Sequence, residues 1–169
     1  MHQKTVRLTD RRIQWLAQRK PDAVAKLRGS EAYPNIFGVI RLFQSREGVY
    51  VTTSIQGLPV NEGSCASRIF AFHIHAGGSC TGNAEDPFAN AGMHDNPNNC
   101  PHPYHAGDLP PVFGNGGSAW GAVLTDRFSV RDVLGKTVIL HANPDDFTTQ
   151  PSGNAGEKIA CGVIMATKN

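Results

Sequence analysis

The feature that most constrains the fold of this chain is a set of six histidines between residues 73 and 141, of seven in the whole sequence. His73 and His75 stand two residues apart in an apolar run, and side chains two apart on a β-strand point to the same face. Imidazoles paired on one face can share a metal ion. That face is therefore a candidate copper or zinc site, to which the fold must bring further ligands.

A second group of metal-ligand types follows within seven residues, at His102, His105 and Asp108. One more imidazole would complete a set of three nitrogens and one oxygen, which suits tetrahedral zinc. Any one of these histidines, taken alone, is more commonly an ordinary core or surface residue. Six of them with this spacing favour metal binding instead.

The pattern of short apolar runs separated by turn residues predicts an all-β fold. Eighteen glycines and eleven prolines punctuate short runs that alternate apolar with polar residues or are apolar throughout. Strands are predicted at residues 23–27, 35–44, 48–56, 69–75, 117–125, 136–141 and 159–166. Seven or eight short strands in 169 residues indicate one sandwich or barrel domain. The long stretches 76–113 and 142–158 are predicted to be functional loops.

The N-terminal segment differs from the rest in charge. Residues 1–28 hold eight basic residues against two acidic ones, whereas the remainder holds eight against twelve. A basic arm could bind nucleic acid or an anionic membrane, but this one is short and has no recognisable motif, so a solvated amphipathic turn is favoured. Thr9 is a candidate cap for a short helix that Pro21 would stop. We therefore divide the chain into a helical basic arm at 1–21 and a barrel at 22–169.

Neither an apolar signal segment nor a stretch long enough to span a membrane is visible in the sequence. This predicts a soluble, cytoplasmic protein without membrane partners. A leader that had been removed would leave the same sequence.

Six short segments carry a combined pattern. They are Phe72-His73-Ile74-His75, Gly78-Ser79-Cys80, Met93-His94-Asp95-Asn96-Pro97, His105-Ala106-Gly107-Asp108-Leu109-Pro110, residues 138–146 and residues 153–164. Together, and in this order, they resemble the copper/zinc superoxide dismutases from about residue 22 to the end. The resemblance implies an eight-stranded Greek-key β-barrel or sandwich in which two long loops hold copper and zinc. It also implies superoxide as the substrate, with dioxygen and hydrogen peroxide as products. Because the basic arm is short and has no recognisable motif, we expect no nucleic acid partner. Dimer surfaces differ between branches of this family, so a homodimer is an open expectation.

The same resemblance implies a role for each ligand candidate. Copper would bind His73, His75, His94 and His141; zinc would bind His94, His102, His105 and Asp108. Asp145 would orient one ligand of each metal, although a loop-capping carboxylate is the alternative. His94 and His141 are the expected catalytic ligands, and His94, shared by both metals, would lose both ring protons. Lys158 stands where the family commonly has an arginine that guides the anion, unless it is only a solvated surface charge.

The four cysteines are assigned in the same way. Cys80 and Cys161 match the disulfide of the family. Cys65 and Cys100 have three open outcomes, namely a second disulfide, which is slightly favoured, two free thiols, or competition of Cys100 for metal.

Two departures from the family pattern bear on the site. Only Pro103 and Tyr104 separate the last two zinc histidines, and the loop after His141 is short and lacks lysine. A lysine at position 158 keeps the charge of the usual arginine but not its planar fork. A copper-carrying protein or a zinc-stabilised protein without enzymatic activity is the alternative on the same fold.

Overall fold

The computed structural model describes residues 11–60, 63 and 68–168. Within this part of the chain, eight antiparallel strands form a single sheet. They are β1 (Ala23–Gly29), β2 (Phe37–Gln44), β3 (Val49–Gln56), β4 (Ile69–His75), β5 (Asp108–Phe113), β6 (Ser118–Thr125), β7 (Thr137–His141) and β8 (Lys158–Ala166). The helices are α1 (Arg11–Gln18), a 3-10 turn (Ala89–Ala91) and α2 (Val130–Val133).

The sheet has the strand order β5-β4-β7-β8-β1-β2-β3-β6. Strands distant in sequence are therefore neighbours, as in the pairs β4–β7, β3–β6 and β1–β8, which is the pattern of Greek-key connections. The end strands β5 and β6 approach each other, so that the sheet nearly closes into a barrel. This confirms the predicted fold class.

The strands show how residue pattern sets the position of the site. In β3, alternate residues from Val49 to Ile55 are buried and the others are partly exposed, as expected for a strand with one face on the core. In β4, by contrast, both faces are buried. Phe72 and Ile74 point into the barrel core, so His73 and His75 lie on the outer face, where loops cover them.

The predicted strands agree with the observed ones to within two residues, except that β5 lies in the stretch 76–113, which the sequence predicts to be a loop. Pro110 and Pro111 lie within β5, and proline cannot donate a backbone hydrogen bond. A strand at the end of the sheet order needs fewer such bonds, which is why it tolerates both prolines. Helix α2 was also not predicted, because four residues carry too little periodicity.

The helix predicted near the N-terminus is present as α1, and it packs on the barrel. The Trp15 ring centroid lies 6.1 Å from that of Phe43 and 5.7 Å from that of Tyr50. The guanidinium of Arg19 lies over the Trp15 ring, 4.6 Å from its centroid, and pairs with Asp22 at 3.0 Å. The predicted cap, Thr9, lies outside the described residues. No described helix has the length and apolar character needed to cross a bilayer.

A disulfide joins Cys80 to Cys161, as predicted, with their Cα atoms 5.6 Å apart. It fixes the loop that follows β4 to strand β8. Phe88, Ala91 and Ile139 pack around it in a small apolar cluster separate from the barrel core. Cys65 lies outside the described residues, and Cys100 has no disulfide partner among the described ones, so their pairing stays a prediction.

Candidate metal centre

Four buried histidines meet on the outer face of the barrel, and we call them the all-histidine cluster. Its members are His73, His75, His94 and His141. One ring nitrogen of each lies within 4.8 Å of the corresponding nitrogens of the others. Strand β4 supplies two of these residues and its neighbour β7 supplies the last. The third comes from the loop, where His94 forms an isolated β-bridge with His75.

Hydrogen bonds on the outer ring nitrogens fix the orientation of these rings. The Nδ1 of His75 lies 2.8 Å from the Gly92 carbonyl oxygen, and the Nδ1 of His141 lies 3.2 Å from that of Gly156. A carbonyl only accepts, so both Nδ1 atoms carry the proton and both Nε2 atoms keep a lone pair. These two Nε2 atoms face each other at 3.2 Å. Two lone pairs at this distance favour a cation between them.

A second buried group, which we call the mixed cluster, shares His94 with the first. Its members are His94, His102, His105 and Asp108. An Asp108 carboxylate oxygen lies 2.8 Å from the Nδ1 of His94, and the other lies 3.1 Å from the Nδ1 of His102. The Nδ1 of His105 lies 3.4 Å from that of His94. The cluster offers three nitrogens and an oxygen, which is the donor set of a tetrahedral zinc site.

Unpartnered nitrogens test whether metals fit these clusters. The Nδ1 of His73, the Nε2 of His94 and the Nδ1 of His102 are buried and make no hydrogen bond within the described part of the chain. A buried polar atom without a partner costs about 1–3 kcal/mol, so three together need an explanation. Each belongs to a residue of the clusters, and two metal ions, one in each cluster, would satisfy all three. The donor sets therefore fit copper and zinc.

Asp145 contacts one histidine of each cluster. One carboxylate oxygen accepts from the Nε2 of His73 at 2.7 Å, and the other accepts from the Nε2 of His102 at 2.9 Å. Burial alone would raise the pKa of Asp145, but the hydrogen bonds from His73, the Phe147 N–H and His102 outweigh it and hold the pKa well below its usual range. The carboxylate is thus ionised, and it directs the Nδ1 of both rings toward the clusters. This matches the orienting position expected for Asp145, although the predicted role itself stays a prediction.

Burial also sets the charge state of the histidines. It lowers the pKa of His75 to about 2 and that of His141 to about 3, because desolvation penalises the imidazolium. The pKa of His73 is lowered for the same reason, although its bond to Asp145 opposes the shift. These imidazoles are therefore neutral at physiological pH, which is the form that binds metal.

Two side chains that the sequence analysis did not single out hold the short segment around the mixed cluster. The Gln150 amide pairs with the backbone of His102, accepting from its N–H at 2.9 Å and donating to its carbonyl oxygen at 2.7 Å. The Arg127 Nη1 donates to the carbonyl oxygens of Pro103, His105 and Asp108 at 2.9, 3.2 and 3.3 Å. Nothing in the local sequence could have revealed these contacts, because the partners are 19 to 48 residues apart.

Gly153 allows the backbone of the loop at 142–158 to pass close to the Asp145 side chain. Its φ is +68°, a conformation that favours glycine, and a Cβ atom there would lie 2.0 Å from an Asp145 carboxylate oxygen. Any larger residue would therefore displace the carboxylate that orients His73 and His102.

A cavity of about 320 Å³ opens on the all-histidine cluster, reaching His75, His94 and His141. Lys158, at the start of β8, also lines this cavity. Its ammonium lies 2.5 Å from an Asp86 carboxylate oxygen and 3.4 Å from the Phe88 carbonyl oxygen. The structure thus brings Lys158 to the mouth of the site, where it is paired with an acid that the sequence analysis did not single out.

Comparison with known proteins gives a consistent result. The family described as "Copper/zinc superoxide dismutase (SODC)" matches residues 36–164. Superoxide dismutase (Cu-Zn) 2 of Aquifex aeolicus (strain VF5) is 32% identical over 144 residues, covering 76% of this chain and 79% of that protein. The Cu-Zn superoxide dismutase of Escherichia coli (strain K12) is 30% identical over 152 residues, covering 80% and 82%. The Cu/Zn superoxide dismutase from Brucella abortus matches in structure with a TM-score of 0.70 at 22% identity, covering 83% of this chain and 98% of that one.

Proposed function

Because the chain belongs to the copper/zinc superoxide dismutase family, we propose that it converts superoxide to dioxygen and hydrogen peroxide at the metal centre on its outer face. The protein is an oxidoreductase of this family, and its cofactors are copper and zinc. We assign copper to the all-histidine cluster and zinc to the mixed cluster. The donor types carry this assignment, since one cluster is all imidazole and the other adds a carboxylate. The Nδ1 of His94 contacts Asp108 while its Nε2 has no partner among the described residues, which supports a ring shared by two metals.

The chemistry divides between the two clusters by donor type. Copper held by imidazoles would supply one-electron redox chemistry, whereas zinc is redox silent. The protein residues fix the geometry for this exchange. His75 and His141 keep their Nε2 lone pairs directed inward because Gly92 and Gly156 hold the opposite nitrogens.

His94 is the residue that we propose to handle the proton. Its Nδ1 lies against Asp108, so Nε2, the atom assigned to copper, is the position at which the ring would take up a proton whenever it does not hold that metal, and from which it would pass the proton to the product. The cavity that reaches His94 from outside supports this role. Lys158 lines the same cavity, and we assign its ammonium to attraction of the superoxide anion.

Asp145 is assigned as a positioning residue for both metals. It contacts one ligand of each cluster through a different carboxylate oxygen, so displacing Asp145 would affect both His73 and His102. A carboxylate behind a metal-bound imidazole fixes the ring and raises its basicity.

The decisive experiment is superoxide turnover by the purified protein loaded with copper and zinc, measured against the apoprotein and the zinc-only protein. Turnover that requires copper is expected. A copper-loaded protein without turnover would indicate the alternative, a copper-carrying or zinc-stabilised protein on the same fold. The homodimer and the cytoplasmic location predicted from the sequence stay predictions, and light scattering in solution tests the first of them.

A further inference from the structure

We propose that the Asp86 carboxylate is a built-in competitor of the substrate anion, because it occupies the Lys158 ammonium at the mouth of the cavity. This inference rests on the proposed function, in which Lys158 attracts superoxide. It makes Asp86 a residue that limits anion capture, although it belongs to neither cluster.

The contact between the two side chains is close and partly shielded from water. The Lys158 Nζ lies 2.5 Å from an Asp86 carboxylate oxygen, and 16% of the Lys158 side chain is exposed. The ammonium also donates to the Phe88 carbonyl oxygen at 3.4 Å. An ammonium has three N–H donors, so two are occupied before any substrate arrives. An incoming anion must share or displace the Asp86 contact.

The carboxylate is held in place and is not a mobile surface charge. The Phe88 N–H donates to one oxygen of Asp86 at 3.0 Å, which leaves the other oxygen for Lys158. The Asn83 side chain accepts from the Asp86 N–H and fixes the turn. Phe88 packs in the apolar cluster beside the Cys80–Cys161 disulfide, and Cys161 lies on the same strand as Lys158. The disulfide therefore ties the loop that carries Asp86 to the strand that carries Lys158.

The charges that line the cavity make the Lys158–Asp86 ion pair important for capture of an anion. Three carboxylates, those of Glu85, Asp86 and Glu157, line the cavity, whereas Lys158 is the only lysine or arginine among the described residues that do so. An anion therefore meets a mouth in which the only ammonium is already paired. Removing the Asp86 charge should release that ammonium, and removing another carboxylate should not.

Azide titration of the copper- and zinc-loaded protein, followed by copper(II) absorption at low salt, tests this directly. Asp86→Asn should tighten azide binding by roughly three- to tenfold, since it removes one partly shielded ion pair but keeps the oxygen that accepts from Phe88. Glu85→Gln is the matched control. It removes the same charge one residue away, where no described side chain pairs with it, and should shift the affinity by roughly twofold or less.

The Lys158→Gln and Asp86→Asn/Lys158→Gln proteins complete the cycle. If Asp86 acts by occupying the ammonium, Asp86→Asn tightens azide only when Lys158 is present, and the double variant matches Lys158→Gln. Equal shifts in Asp86→Asn and Glu85→Gln, or weaker azide binding in Asp86→Asn, overturn the inference. Metal content and thermal melting of each variant verify that the site and the fold are intact.

The same series separates this inference from the proposed function. If azide binds more weakly to Lys158→Gln but no more tightly to Asp86→Asn, the proposed role of Lys158 is retained and only that of Asp86 is refuted. An unchanged affinity in Lys158→Gln refutes both. Superoxide turnover by the wild type is measured separately and reports on the proposed reaction, whatever the azide result.

Discussion

At the scale of single residues, the proposed metal centre depends on His94, since this residue belongs to both clusters. His102 belongs to the mixed cluster alone, although Asp145 connects it indirectly to His73. These two histidines therefore differ in what they should contribute to metal binding.

The first prediction compares their replacement by alanine. His94→Ala should weaken both metals, because each cluster loses one of four donors, whereas His102→Ala should chiefly weaken zinc. Elemental analysis of the purified proteins after metal loading and dialysis measures both. A His94→Ala protein with unchanged zinc content would refute the shared role of this residue.

The second prediction concerns Gln150, which touches no candidate metal but pairs with both backbone groups of His102. Gln150→Ala should lower zinc affinity by roughly 10-fold or more, in the range known for residues that orient metal ligands. Copper affinity should change less. Competition with a zinc chelator gives the affinity, and Gln56→Ala, an exposed glutamine on β3, is the control. Equal zinc affinity in the two variants would mean that Gln150 does not position His102.

At the scale of elements, the disulfide determines how the first long loop lies on β8. It closes a sequence separation of 81 residues. The third prediction is that replacing Cys80 and Cys161 with alanine lowers the free energy of unfolding by about 2–5 kcal/mol, because the unfolded chain loses its constraint. Denaturant titration measures the change. Peptide mapping without reductant should recover Cys80 linked to Cys161, and a free Cys80 thiol would contradict the pairing.

Helix α2 gives a prediction with a defined pH dependence. The Asp132 carboxylate accepts from the backbone N–H and the hydroxyl of Ser129 at 2.8 and 2.7 Å, and these bonds lower its pKa. A lowered pKa in the folded state contributes stability above the ordinary aspartate pKa, and this is lost as pH falls through the folded pKa. Asp132→Asn should therefore destabilise the protein at pH 7 and have little effect at the acid end. Urea midpoints for the wild type and Asp132→Asn, measured from pH 7 down to below the ordinary aspartate pKa, test this pH dependence. A difference between the two midpoints that does not change with pH would contradict it.

At the scale of the whole molecule, charge is unevenly distributed, with an excess of basic residues before residue 29 and of acidic residues after it. The fifth prediction is that Lys158→Gln slows superoxide turnover and makes the slope of rate against ionic strength less negative. Salt screens a charge over about 10 Å at 0.1 M, so the attraction that Lys158 supplies is what added salt removes. Pulse radiolysis over a salt series measures both slopes. Equal rates and slopes would show that Lys158 does not guide the anion.

Local periodicity predicted the faces of the strands, and the family resemblance predicted the disulfide between two distant cysteines. Other contacts between distant residues could not be predicted from either. The alternation in β3 and the spacing of His73 and His75 are local, and the faces they predicted are those observed. The strand β5 was missed because its prolines are acceptable only at a sheet end, which is a property of topology. The pairing of Lys158 with Asp86 joins residues 72 apart, so the expectation of Lys158 near the proposed copper ligands gave no sign of its partner.

The strand order also has a consequence for synthesis. Strand β8 lies between β7 and β1, so the earliest and latest strands of the sheet are direct neighbours. During translation the chain emerges from its N-terminal end, and β1 has only one of its two neighbours until β8 has left the ribosome. All seven proposed metal ligands are synthesised before β8, yet the sheet that supports them is complete only afterwards. The nascent chain therefore carries every ligand before it has a barrel, and productive metal loading is expected to be post-translational.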